Sequence, residues 1–116
     1  MKISVAETDG PALLLRAGVR MNVLTADCFH NDVLQVMARS GHDVIIDSSD
    51  VTYLSTAGLR AFLILSRRLA MANRRLHICN LKPYILEVFQ IIGFDKVIPI
   101  HPDLDSALVA IQRRAS

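Results

Sequence analysis

Two consecutive hydroxyl side chains, Ser55 and Thr56, stand before Ala57-Gly58-Leu59 at the head of an amphipathic stretch. The surrounding segment, Val44 to Leu69, reads as a buried strand, a short polar loop and then a helix. Hydroxyls at a helix N-terminus lie among unpaired backbone N–H groups, where the macrodipole favours an anion. A phosphate added there is tolerated without unfolding the helix. The combination favours a phospho-switch over an enzyme. Either residue could instead serve only as an N-cap, worth about 1 kcal/mol. A cap alone does not call for two hydroxyls, and neither has Glu or Gln three residues later to complete a capping box.

Other groups with chemical potential are less persuasive. Asp47-Ser48-Ser49-Asp50 offers carboxylates of the kind a hard cation wants, but a turn of Asx and Ser hydrogen bonds explains it as well. His30, His42, His77 and His101 show no ligand spacing, and Cys28 and Cys79 form no CxxC or zinc pattern. No metal and no cofactor are expected. His77 alternates into a strand and reads as a satisfied or solvent-facing histidine. No Ser-His-Asp order, P-loop or HExxH pattern supports catalysis, so an enzyme is not expected.

The helix after Thr56 is expected from about Ala57 to Ala72, with Leu59, Phe62, Leu63, Ser66, Leu69 and Ala70 as an inward stripe. Opposite them lie Thr56, Arg60, Ile64, Arg67, Met71 and Arg74. Such a face can be merely solvated, yet Ile64 and Met71 among arginines are an interface composition. Gly58 costs roughly 1 kcal/mol in a helix relative to Ala. Two readings stay open for it: close approach by a partner, or close packing of the helix on its own sheet.

The elements that position these residues follow from periodicity. Asp9-Gly10 between Ile3/Val5 and Ala12–Leu15 predicts an antiparallel hairpin. Thr25-Ala26-Asp27 opens a helix with Phe29, Val33, Val36, Met37 and Ser40 on one face, and Gly41 ends it. Val44-Ile45-Ile46 is a strand of the type buried on both faces, and Leu76–Cys79 is another. Pro83 starts a helix with Ile85, Val88, Phe89 and Ile92 inward and Gly93 as its stop. A fifth strand is expected at Val97–Ile100. A last helix from Pro102 buries Leu104, Ala107, Leu108 and Ile111. The order β-β-α-β-α-β-α-β-α implies an α/β fold with a mixed, mostly parallel five-stranded sheet and about four helices. Ser55-Thr56 then falls beyond a strand's carboxyl end, where such sheets carry their sites.

Composition sets the outer bounds. The 116 residues suit one domain spanning 1–116, and a hydrophobic fraction of 52% fits a packed core rather than disorder. A net charge of +2, with acids and bases interleaved, is a poor footprint for nucleic acid. The N-terminus lacks a secretory h-region and no run reaches transmembrane length, so a cytoplasmic protein without membrane insertion is expected.

The pattern resembles the STAS domain, the fold of bacterial anti-sigma factor antagonists. The shared features are Gly18 closing a strand, Thr25-Ala26, Ile46-Asp47, Val51-x-Tyr53-Leu54, the hydroxyl-Gly-Leu turn, and Gly93-Phe94 before the fifth strand. The family hallmark is Asp-Ser-Ser/Thr-Gly-Leu, whose first Ser is phosphorylated by a partner kinase. Laid over this chain, the Asp falls on Ser55, the acceptor on Thr56, the next hydroxyl on Ala57 and the Gly on Gly58. Two departures stand out: Ser55 replaces the acidic residue and the acceptor is Thr. Near the first helix the family often has Gly-Glu-x-Asp, where this chain has Gly18-Val19 and Asn22 at the Asp position.

The resemblance implies a partner-switching module. Thr56 is the implied phosphoacceptor, with Ser55 second, and Ser55 can cap while Thr56 accepts. Ser55, Thr56, Gly58, Arg60, Ile64, Arg67 and Met71 form the expected partner-binding set. The implied partners are an anti-sigma factor that is a serine-threonine kinase, and a phosphatase. A non-switching STAS subunit of a larger assembly, such as a lipid-transport ATPase or a stress-signalling scaffold, is the alternative.

Overall fold

The structure, a computed structural model, describes residues 4–7, 12–16, 20–21, 30–35, 38 and 43–115. Its frame is a five-stranded sheet in the order β1-β2-β4-β6-β7. Strand β1 (Ser4–Glu7) runs antiparallel to β2 (Ala12–Arg16), with Val5 opposite Leu15. Strands β2, β4 (Asp43–Asp47), β6 (Leu76–Cys79) and β7 (Ile100–His101) are parallel neighbours, through Leu14–Ile45, Ile45–His77 and Cys79–His101. The expected mixed, mostly parallel sheet is therefore present. Two further strands, β3 (Arg20–Met21) and β5 (Tyr53–Leu54), form a small parallel pair of their own. At two residues each they are too short to leave a periodic signal.

Helices cover both faces of the large sheet, and β4 shows how. Val44 and Ile46 face a core built with Phe62, Leu65 and Leu69 of α2 (Thr56–Met71) and Ile85 and Phe89 of α3 (Pro83–Ile92). Val33, from helical residues 30–35 (α1), is buried in the same core. Ile45 turns the other way, onto Ala107 and Ile111 of α4 (Leu104–Ala115). Successive strand residues point to opposite faces, so a strand covered on both sides must be apolar throughout. Phe62 and Phe89 meet edge to face at 6.1 Å, the ring quadrupoles' preferred arrangement. Of the first helix's expected inward residues, Phe29, Val36, Met37 and Ser40 lie outside the described residues, as do its Thr25 opening and Gly41 stop.

Three expectations need correction. The buried stripe of α2 is Gly58, Ala61, Phe62, Leu65 and Leu69, rotated from the expected one; Leu59, Leu63 and Ser66 are half-buried and Ala70 is exposed. Apolar residues occupy more than half of that helix's circumference, so periodicity leaves its centre undetermined. The same ambiguity affects α3, where Ile85 and Phe89 are buried but Val88 and Ile92 are exposed.

The fifth strand starts later than Val97. Residues Phe94–Lys96 form a 3-10 turn, and the Val97 and Ile98 N–H groups both donate to the Phe94 carbonyl. Pro99 has no N–H to give, though its carbonyl accepts from Ile78 N–H at 3.0 Å. The ladder therefore begins at Ile100. Gly93 does close α3, in a left-handed conformation with φ +81° that an L side chain disfavours.

Candidate functional site

The loop after β4 is fixed by its own backbone donors. Asp47 is buried, and its Oδ1 accepts from Ser49 N–H at 3.0 Å and from Asn80 Nδ2 at 3.2 Å. Ser48 N–H donates to the Cys79 carbonyl, and Val51 N–H to the Ser48 carbonyl. This is the Asx-type turn allowed for in the sequence, with Asp47 turned inward to hold β4 and the end of β6 together. The chain then passes through β5 and reaches α2.

The two hydroxyls at the mouth of α2 have separate positions. Ser55 is the N-cap, extended at φ −83° and ψ 172°, and its Oγ accepts from Gly58 N–H at 3.3 Å. Thr56 is the first helical residue and is exposed. The first turn carries no acidic side chain, and helix geometry leaves its leading N–H groups without intrahelical partners. The field at Thr56 therefore favours an added negative charge.

The remaining expected residues divide. Arg60 and Arg67 are exposed, and Met71 is 86% exposed. With Thr56 they run along one line of the helix, at successive spacings of three or four residues or their sum. Ile64 lies on that line but is half-buried, so it is not the fully exposed anchor its arginine neighbours suggested. Gly58 is buried on the inner side of the first turn, which favours close packing on its own domain.

Beside this line lies a groove of about 170 Å³ that sequence reasoning missed. It is lined by Thr52, Tyr53, Leu54, Leu59, Tyr84, Ile85 and Val88. The Tyr84 hydroxyl donates to the Thr52 carbonyl at 2.7 Å, which ties α3 to the segment just before Ser55. The available signal was the excess of apolar residues in α3: one face is used by the core, and Tyr84, Val88 and Ile91 remain outside.

His77 is the satisfied histidine of the two readings: it is buried, with both ring nitrogens engaged. Cys79 is a buried thiol pushed up to about 12 by burial and then by the nearby Asp47 and Asp103 carboxylates. It is an inert core group. Cys28 lies outside the described residues. No helix among the described residues is long and apolar enough to cross a membrane.

The family model described as the STAS domain matches residues 2–107. The chain belongs to the STAS domain family. This STAS domain is 29% identical over 112 residues to BtrV of Bordetella bronchiseptica, a protein assigned as an anti-sigma factor antagonist; the match covers 97% of this chain and 96% of BtrV. It is similar in structure to an anti-sigma factor antagonist from Mycobacterium paratuberculosis, with a TM-score of 0.84, 24% identity, and 96% and 93% of the two chains covered. The phosphorylated form of the Bacillus cell fate determinant SpoIIAA superposes with a TM-score of 0.68 at 15% identity, covering 97% and 99%.

Ser55, where the family motif carries Asp, keeps the capping function, because Ser and Asp are comparable N-cap residues. What the exchange removes is a negative charge beside Thr56.

Proposed function

We propose that this STAS domain is an anti-sigma factor antagonist, switched by phosphorylation of Thr56. In its unphosphorylated form it binds an anti-sigma factor that is also a serine-threonine kinase, and so regulates transcription or a related pathway. The kinase transfers phosphate to the Thr56 hydroxyl, the phosphorylated form loses the contact, and a phosphatase restores it. The chain supplies the acceptor and the docking face, not catalysis, and acts in the cytoplasm.

The observation that carries this reading is the division of labour at the helix mouth. Ser55 is occupied as the cap, while Thr56 stays exposed at the positive end of α2. The names of BtrV and of the Mycobacterium paratuberculosis protein support the antagonist reading. That SpoIIAA exists in unphosphorylated and phosphorylated forms supports the switch. Arg60, Arg67 and Met71, with the half-buried Ile64, extend the docking line from the acceptor.

The test is incubation with the kinase that co-purifies with the domain, and ATP, followed by mass-spectrometric mapping. Phosphate on Thr56, lost in Thr56→Ala, is the expected result. Phosphate on Ser55 alone, or undiminished labelling of Thr56→Ala, overturns the assignment. The non-switching alternative rests on the missing acid at Ser55 and expects no labelling with partner binding intact.

A further inference from the structure

Three titratable side chains cross the sheet on the face covered by α4. Asp43 opens β4, His77 lies in β6 and His101 in β7. His77 is buried, and its Nε2 lies 3.4 Å from Asp43 Oδ2. Its Nδ1 lies 3.1 Å from His101 Nε2, with the rings stacked at 5.3 Å and 25°. Asp43 Oδ1 accepts from Arg75 N–H at 2.9 Å, so the carboxylate is anchored at both oxygens.

The surroundings complete the electrostatic picture. Arg74 lies near Asp43, and Asp103, which caps α4 by accepting from Ser106 N–H at 2.8 Å, lies near His101. Asp95 lines a cleft with His101, and Cys79 is the neighbouring thiol in β6. The residues α4 lays over this face, Leu104, Ala107, Leu108 and Ile111, are apolar.

Proton counting then restricts the states. A carboxylate only accepts, so His77 Nε2 carries the proton it shows to Asp43. In neutral His77 the Nδ1 is bare, and His101 Nε2 must donate to it. One added proton is accommodated on the free Nδ1 of His101, and both hydrogen bonds survive. A second added proton puts N–H against N–H at 3.1 Å, between two cations, and the His77–His101 bond cannot persist.

We propose that Asp43, His77 and His101 form a proton-operated latch that holds β7 and the start of α4 on the sheet and opens when the histidine pair takes up its second added proton. The edge it controls is small, because β7 is a two-residue strand and α4 follows it after two residues. Burial pulls His101 below its ordinary histidine value, against the opposing effect of Asp103, so the pair takes its first added proton on the acid side of neutrality and the second, which meets a neighbouring cation, only in more acid solution.

Imidazole nitrogen NMR of the intact chain, with EDTA present, reads the tautomers and the titration. Amide hydrogen exchange at pH 7.5 and 5.0, corrected for intrinsic rates, reads the edge. The expected result is two coupled histidine titrations, and protection at Ile78, which donates to Pro99, falling at least about tenfold in acid while β4 changes little. His101→Gln, at a half-buried site, should lose most of that pH dependence. Independent single titrations of the two rings, equal protection at both pH values, or an unchanged acid response in a folded His101→Gln protein would each overturn the latch.

Discussion

The Ser55 hydroxyl accepts the Gly58 N–H at 3.3 Å, a bond that spans the first turn of α2 and leaves the next hydroxyl, Thr56, facing solvent. A side chain spent on a cap is held in one rotamer with its oxygen turned toward the helix. A side chain one residue later is not needed for the cap. The pair therefore sets an engaged hydroxyl beside an exposed one within two residues.

That separation predicts opposite responses to alanine. Ser55→Ala should destabilise the fold by about 1 kcal/mol through the lost cap. Thr56→Ala should change stability by less than about 0.5 kcal/mol, as exposed substitutions do. Urea unfolding of both variants measures the difference. Equal losses would show that Thr56 shares the capping function.

The docking line makes a second prediction, adjusted for burial. Met71→Asp should weaken binding to the kinase partner by about 1 to 2 kcal/mol if this face is the interface. Its stability should hardly move, since Met71 is 86% exposed. Ile64→Asp should weaken binding too, but it should also destabilise, because Ile64 is half-buried. Titration calorimetry beside urea unfolding separates the effects. Normal affinity in both folded variants would remove this face from the interface.

Acid should act on stability at the corner where β7 meets α4. Burial lowers the folded value of His101 from its ordinary 6.5, so the unfolded chain binds this proton more readily. Stability should be full above that value and fall as pH drops through and below it. Asp103 is lowered as well, by its bonds from Ser106, from 3.8, so its contribution is full above 3.8 and is lost as pH falls further. The urea midpoint should therefore decline first between about pH 7 and 5, then again near the carboxylate range. His101→Gln should flatten the first decline and leave the second; a first decline of wild-type size in this variant would assign it elsewhere.

How much of this was legible in the chain depends on the physical signal each part leaves. Val44-Ile45-Ile46 announced a doubly covered strand because a strand buried on both faces has no polar alternate. Pro83 and Gly93 bracketed α3 through backbone constraints that act locally. The inward face of α3 was legible only in part: Ile85 and Phe89 are buried as expected, but Val88 and Ile92, equally apolar, are exposed. The delayed start of β7 depended on the Phe94 carbonyl capturing two N–H groups, a turn with no periodicity. At the candidate site, the two hydroxyls and the exposed line of Arg60, Arg67 and Met71 were visible as residue types. The groove beside them was not, because Thr52, Tyr53 and Tyr84 meet only through tertiary packing. The Asp43–His77–His101 cluster escaped for the same reason: His77 lies 34 residues from Asp43 and 24 from His101, and they meet only across neighbouring strands.

The last prediction is that phosphorylation of Thr56 acts by local charge and bulk, not by refolding. A phosphothreonine adds roughly −1.5 to −2 charges at neutral pH. At the first helical position, with no acid in the first turn, that charge meets favourable N–H dipoles. Arg60, exposed one turn later, is placed to reach it. The free domain should therefore be unharmed or slightly stabilised. A partner surface built for a neutral hydroxyl would instead have to desolvate a dianion. Thr56→Glu should lose partner binding while keeping the fold, although one carboxylate carries less charge than phosphate. An NMR amide spectrum of the phosphorylated and unmodified forms decides the matter. Shifts confined to the neighbourhood of Ser55 to Arg60 are expected; changes spread through β4, β6 and β7 would mean that the switch is conformational.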